Sequence, residues 1–171
     1  SALIITQEHP KGMGNAVLQY VKSPIYNDAE NIILTWGDIP FLDNKTIKSL
    51  VETHFKNKNI FTLASSYVDS AYTLINRNAQ GNIMDIIESR EEGKVPSKGE
   101  RDIGLFIFNK EVIMKLLSEE LPGKYGNRTS EHGFLYLIKH LVRLNYKVEA
   151  LPIAKPKELI SLNKLSDLSQ C

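Results

Sequence analysis

Three short stretches of this chain carry the residues best suited to chemistry. Gln7-Glu8-His9-Pro10-Lys11-Gly12-Met13-Gly14-Asn15-Ala16 reads as a strand end, a glycine turn and a helix start. Trp36-Gly37-Asp38 closes an apolar run and puts a carboxylate at the carboxyl end of a buried strand. Such strand ends are where open α/β sheets bind ligands. Leu162-Asn163 brings a side-chain oxygen that could join Asp38 on a hard cation. The combination points to a nucleotide-handling site that uses a divalent metal. No phosphate-cradling glycine loop precedes the pattern in this sequence.

Taken singly, each residue has a plainer role. Gly12 and Gly14 suit any helix-entry turn. Asp38 suits a turn before Pro40, and Asn163 a helix N-cap. Glu88 suits a solvated strand end. The four histidines, His9, His54, His132 and His140, lack metal-ligand spacing and read as structural or surface groups. Trp36 reads as core packing, and Cys171 as inert.

The elements that must position these residues follow from periodicity. Residues 2–6 read as a buried strand and 12–21 as a helix. Residues 31–36 are an unbroken apolar run, expected to be a strand buried on both faces. Asp43 or Asn44 caps a helix through residue 58, with Ile47, Leu50, Val51 and Phe55 facing inward. Residues 60–67 form a strand. Residues 72–77 and 83–88 flank Asn78-Ala79-Gln80-Gly81, a hairpin turn. Residues 90–101, with Gly93, Pro96 and Gly99, read as an exposed charged loop. A strand at 103–108, helices at 110–120 and 131–144 and a strand at 147–152 complete the pattern. Phe134, Leu137, Ile138 and Leu141 make the buried stripe of the last long helix. One or two short helices are expected from residue 156 onward. Alternating strands and helices imply an α/β layered domain with a mixed, mostly parallel sheet.

Composition narrows the class. The 171 residues suit one domain, and 42% hydrophobic residues suffice for a core. With 21 basic and 20 acidic residues, the chain shows no electrostatic footprint for nucleic acid or a membrane surface. Its single cysteine cannot form an internal disulfide, so a reducing, cytoplasmic setting is expected. No apolar run approaches the roughly 20 residues that span a bilayer.

In order and spacing, Gln7-x4-Gly12-x-Gly14-x-Ala16, Gly37-Asp38, Ile87-Glu88, Gly104 and Asn163 resemble the sugar-1-phosphate nucleotidyltransferases. The nearest likeness is to the uridyltransferase half of bacterial bifunctional N-acetylglucosamine-1-phosphate uridyltransferases. The resemblance implies a three-layer Rossmann-like fold, here incomplete at its N-terminus, with residues 1–171 as the C-terminal part of one such domain. It implies transfer of a nucleotidyl group from a nucleoside triphosphate, UTP first among them, to a sugar-1-phosphate. It assigns Mg2+ to Asp38 and Asn163, the nucleotide to Gln7, Gly12, Met13 and Gly37, and the sugar phosphate to Thr73, Glu88 and Asp102. The chain departs from the family pattern at Met13 and Asn15, at Thr73 and Leu74, and at Asp102. It also lacks the family's opening arginine-containing loop, so a fragment inactive alone is expected, with a strand edge at 31–36 open to pairing with another copy. A non-catalytic nucleotide-sugar-binding or regulatory module is the second reading.

Overall fold

A computed structural model describes residues 2–93 and 97–162. Among these, β1 (Asn31–Thr35), β5 (Ser97–Asn109), β2 (Phe61–Ala71) and β6 (Val148–Leu151) form a four-stranded sheet in the order β1-β5-β2-β6. A separate hairpin pairs β3 (Thr73–Arg77) with β4 (Ile83–Glu88). Helices α1 (Met13–Leu18), α2 (Asn44–Asn57), α3 (Ser89–Glu92), α4 (Lys110–Ser118) and α5 (Leu137–Arg143) complete the described elements, with short 3-10 turns such as Pro156–Leu159.

Alternation along β5 explains the layering. Leu105 and Ile107 join Ile103, Ala64 and α2's Leu50 on one face. Phe106 and Phe108 join Phe61, Leu63 and Phe134, with residues of α4 and α5, on the other. Successive side chains of a strand point to opposite faces, so a continuous apolar run serves two helical layers. The Rossmann-like α/β expectation describes this molecule.

Strand direction differs from expectation. One pair, β2 with β6, is parallel; β5 runs antiparallel to both β1 and β2. The sheet is mixed but mostly antiparallel, because the chain leaves β2, turns through the hairpin and re-enters beside β2 in the opposite sense. The expected loop at 90–101 is largely element: α3 takes Ser89–Glu92, and β5 starts at Ser97. Gly99 and the charges around it belong to a long strand under the hairpin.

Three further expectations change. Residues 2–6 form no strand; Ile4 is 91% exposed. An apolar run pairs only where a neighbouring strand offers its backbone groups, and none of the described strands does so here. β1 is half-exposed along its length, with Ile33 at 50%, rather than buried on both faces. In α2 the inward face is rotated: Thr46, Leu50 and His54 are buried, while Phe55 is 55% exposed. His54 is held by Thr62 Oγ1 at 2.9 Å and Asn31 Oδ1 at 3.1 Å, and burial lowers its pKa.

The expected helix at 131–144 exists only as Leu137–Arg143. Phe134, Leu137, Ile138 and Leu141 are all fully buried nonetheless. Residues 131–133 spend their backbone elsewhere: His132 N donates to Lys11 O at 2.8 Å, and Gly14 N donates to His132 O at 3.0 Å.

The hairpin is locked to the sheet by one ion pair. Arg77 donates from Nε and Nη2 to the two carboxylate oxygens of Glu100, both at 2.7 Å, and from Nη2 to Ala150 O at 2.8 Å. Ser65 Oγ also donates to Glu100, at 2.5 Å. Burial opposes the charge on Glu100, but these partners hold its pKa below the ordinary glutamate value.

Candidate functional site

The site is a cavity of about 140 Å³ where the sheet, the hairpin and the C-terminal segment meet. Met13, Asp38, Thr73, Glu88 and Asp102 all line it. These five come from the start of α1, the turn after β1, the start of β3, the end of β4 and the middle of β5.

A bulge builds its floor. Register between β2 and β5 shifts between Leu63 and Ser65, so the chain around Ile103-Gly104 is pushed out of the ladder. Bulges of this kind re-aim side chains. Gly104 has φ +75°, and a Cβ there would run into the Trp36 ring and Ile39. Its carbonyl accepts from Trp36 N at 3.0 Å, which fixes the chain leading to Asp38. Trp36 also packs edge-on against Phe106 and Phe134, at 5.2 and 5.9 Å between ring centroids. Asp102 Oδ2 accepts from Gly104 N at 2.8 Å, and its Oδ1 accepts from Thr73 Oγ1 at 2.5 Å.

Asp38 is held from the far end of the chain. Ser161 Oγ donates to Asp38 Oδ2 at 2.5 Å, and Leu162 N donates to Asp38 O at 2.8 Å. That segment is clipped down by Glu158, which is fully buried. Its carboxylate accepts from Asp43 N at 2.9 Å, Thr46 Oγ1 at 3.0 Å and Lys155 N at 2.9 Å. The same stretch thus ties the N-terminus of α2 to the Asp38 turn. Asn163, assigned to metal from the sequence, lies outside the described residues.

Glu88 contrasts with these groups. Burial, then the nearby Asp102, raise its pKa above the ordinary glutamate value. It also lines a second cavity, of about 280 Å³, with Met13, Glu91, Glu131, His132 and Tyr136.

The nucleotide set is not gathered in one place. Gln7 lies in a third cavity with Asn15 and Gln19, donating to Asn15 Oδ1 at 2.7 Å and Gly12 O at 3.3 Å. Gly37 is exposed with no neighbour for a Cβ. Gly12, at φ +95°, does permit a close approach, but to this chain's own backbone: a Cβ there would sit 2.5 Å from His132 O. Two charged lining residues escaped the sequence reading. Arg101 was assigned to a surface loop, and Glu158 to a short terminal helix, with its partners Asp43 and Thr46 more than a hundred residues away. Alternation of Glu100 and Arg101 across β5 was the one available signal for the former.

The donor chemistry suits magnesium. No group of three or more histidine, cysteine, aspartate or glutamate side chains placed to hold a metal occurs among the described residues. Mg2+ needs no such cage; it keeps several waters and uses one or two carboxylates together with substrate phosphates. Asp38, an oxygen donor in the cavity wall, fits that requirement.

No family model matches the chain. It is 28% identical over 169 residues to the bifunctional protein GlmU of Thermodesulfovibrio yellowstonii, covering 97% of this chain and 36% of the relative. Against GlmU of Carboxydothermus hydrogenoformans it is 29% identical over 176 residues, covering 99% and 37%. For Synechococcus sp. strain RCC307 the figures are 28% over 170 residues, 98% and 36%. The similarity is to bifunctional GlmU proteins. This chain spans little more than a third of the length of these relatives. No helix among the described residues is long and apolar enough to cross a membrane.

Proposed function

We propose that the cavity is the metal and acceptor side of a nucleotidyl-transfer site. A nucleoside triphosphate, UTP first, and a sugar-1-phosphate are joined to give a nucleotide sugar and pyrophosphate. The observation that carries this reading is the convergence of Met13, Asp38, Thr73, Glu88 and Asp102, from five separate elements, on one cavity. The similarity to GlmU proteins supports it.

In this reaction an oxygen of the sugar phosphate attacks the α-phosphorus. A new P–O bond forms as the bond to pyrophosphate breaks. Such chemistry needs positioning and charge neutralisation rather than a covalent intermediate. Asp38 and Asn163 would hold Mg2+, which when bound offsets negative charge on the phosphate oxygens. Asp102, fixed by Thr73 and the Gly104 amide, offers a rigid acceptor to a sugar hydroxyl. Glu88, whose carboxyl is pushed toward the protonated form by burial and by the nearby Asp102, lines the same cavity to meet a second hydroxyl. Gln7, Gly12, Met13 and Gly37 remain the nucleotide set, of which Met13 shares the cavity. The unpaired edge of β1 is offered for pairing with another chain.

With a single cation among the described residues that line this cavity, we further hold that the 171-residue polypeptide alone does not turn over. Pyrophosphate release from UTP and N-acetylglucosamine-1-phosphate, with Mg2+, tests both statements. The protein as it occurs in the cell should be active and lose about 100-fold or more of its rate in Asp38→Asn, the scale of removing a transition-state charge partner. The isolated polypeptide should show no turnover. An Asp38→Asn protein at the wild-type rate, or robust turnover by the polypeptide alone, contradicts the respective statement. The module reading draws on one observation, the Thr73 hydroxyl occupying Asp102. Nucleotide-sugar binding by the cellular protein without any turnover would favour it.

A further inference from the structure

We propose that Arg101 is the phosphate-binding cation of the cavity, an inference that rests on the nucleotidyl-transfer reading above. Among the described residues, the side chains lining the cavity include four carboxylic groups, Asp38, Glu88, Asp102 and Glu158, and one cation, Arg101. A phosphorylated ligand entering such a site meets like charge at short range, where an effective dielectric well below that of water makes the repulsion costly. Within the wall, Arg101 is the group that offsets it.

Among the described residues, the hydrogen-bonding capacity of its two Nη groups is unspent. Nε donates to the carbonyl oxygen of Asp102 at 3.0 Å. The guanidinium carbon lies 5.7 Å from the centroid of the Tyr72 ring. These two contacts orient the plane of the group. Neither Nη makes a hydrogen bond or ion pair among the described residues, although carboxylates share the cavity. An oriented guanidinium with free Nη groups matches a phosphate oxygen pair in a two-pronged geometry.

Two cations of the neighbouring cavity, Arg90 and Lys139, show what a paired cation looks like. Arg90 is bonded to Glu91 at 3.4 Å and to Glu131 at 3.1 Å. Lys139 lies 3.8 Å from Asp85. Arg77, on the hairpin, is consumed by Glu100. Arg101 alone among these four is oriented but not neutralised. Its place on β5, immediately before Asp102, puts a phosphate contact beside the proposed sugar contacts.

Inorganic phosphate, titrated into the metal-free protein, is the probe, followed through the Nε–Hε resonance of Arg101. That resonance should shift with saturation. Arg101→Met should weaken phosphate binding about 10-fold or more, the effect of a lost charged hydrogen bond. Arg101→Lys, which keeps charge but loses the fork, should weaken it about 3-fold and guards against misfolding. Arg90→Met should leave it unchanged. An unmoved Arg101 resonance, or wild-type affinity in Arg101→Met, overturns the assignment. Asp38→Asn separates the two readings: it should abolish Mn2+ binding and, by removing one repelling carboxylate, not weaken phosphate binding. If Mn2+ binding survives while Arg101→Met loses phosphate, the transferase reading falls and Arg101 stands as the anion site.

Discussion

The floor and the rim of the cavity are built on opposite plans. On the floor, every carboxylate is tied to a distant part of the chain: Asp38 to Ser161, Asp102 to Thr73 and Gly104, Glu158 to Asp43, Thr46 and Lys155. On the rim, Glu88 makes no side-chain hydrogen bond among the described residues and has a raised pKa, and Arg101 keeps both Nη groups free. The floor is prepaid geometry; the rim holds the capacity that a ligand would use. Preorganised groups cost nothing to arrange when the ligand arrives, so the two plans fit one site.

The strongest way to break the contrast is to detach the hairpin that carries Glu88. Arg77→Ala should leave Glu100, whose side chain is only 3% exposed, as a buried charge without its partner. Losing one member of a buried pair costs about 3–5 kcal/mol, and urea denaturation should show a loss at the lower end because Arg77 itself is partly exposed. A loss below about 1 kcal/mol, the scale of a surface pair, would mean the hairpin is not anchored there.

Next in size is the floor. Asp102→Ala leaves the Gly104 amide and Thr73 hydroxyl without their acceptor. Unsatisfied buried groups cost about 1–3 kcal/mol each, and thermal unfolding should register that loss together with weaker acceptor binding. Unchanged stability would show that the bulge holds without Asp102.

The smallest effect belongs to Glu88. Its folded pKa is raised, so the folded state binds the proton more tightly than the unfolded chain. The stabilisation linked to that proton is fully present below the ordinary glutamate pKa of 4.5 and is lost as pH rises through the raised value. Glu88→Gln should flatten the stability profile across that window and change stability at pH 4 by no more than about 0.5 kcal/mol, the range of a substitution that breaks no bond. An unflattened profile would assign the dependence to another group.

Much of the fold was legible because it is local. Asp43 accepts from Lys45 N as a helix cap should, and the Asn78–Gly81 turn closes the expected hairpin. The apolar run at 103–108 located the core half of β5, and helical spacing located the buried stripe of α5. Strand direction was not legible, since a period of two reads the same both ways. Gly99 looked like ordinary punctuation, but it sits in a long strand. Residues 2–6 have a strand's composition without a strand's partner. Of the site, the sequence pointed to five residues that the fold brings together, and to Gln7 and Gly37, which it leaves apart. Arg101 and Glu158 were hidden because their roles depend on contacts that only the folded chain creates.

Line broadening by Mn2+, which takes the same oxygen ligands as Mg2+, tests the central claim most directly. With UTP present, the backbone amides of Gly37, Asp38, Asp102 and Leu162 should broaden first, while those of the Asn78–Gly81 turn stay sharp. The pattern should vanish in Asp38→Asn. Broadening centred elsewhere, or unchanged by that substitution, would contradict a nucleotide-metal site at Asp38.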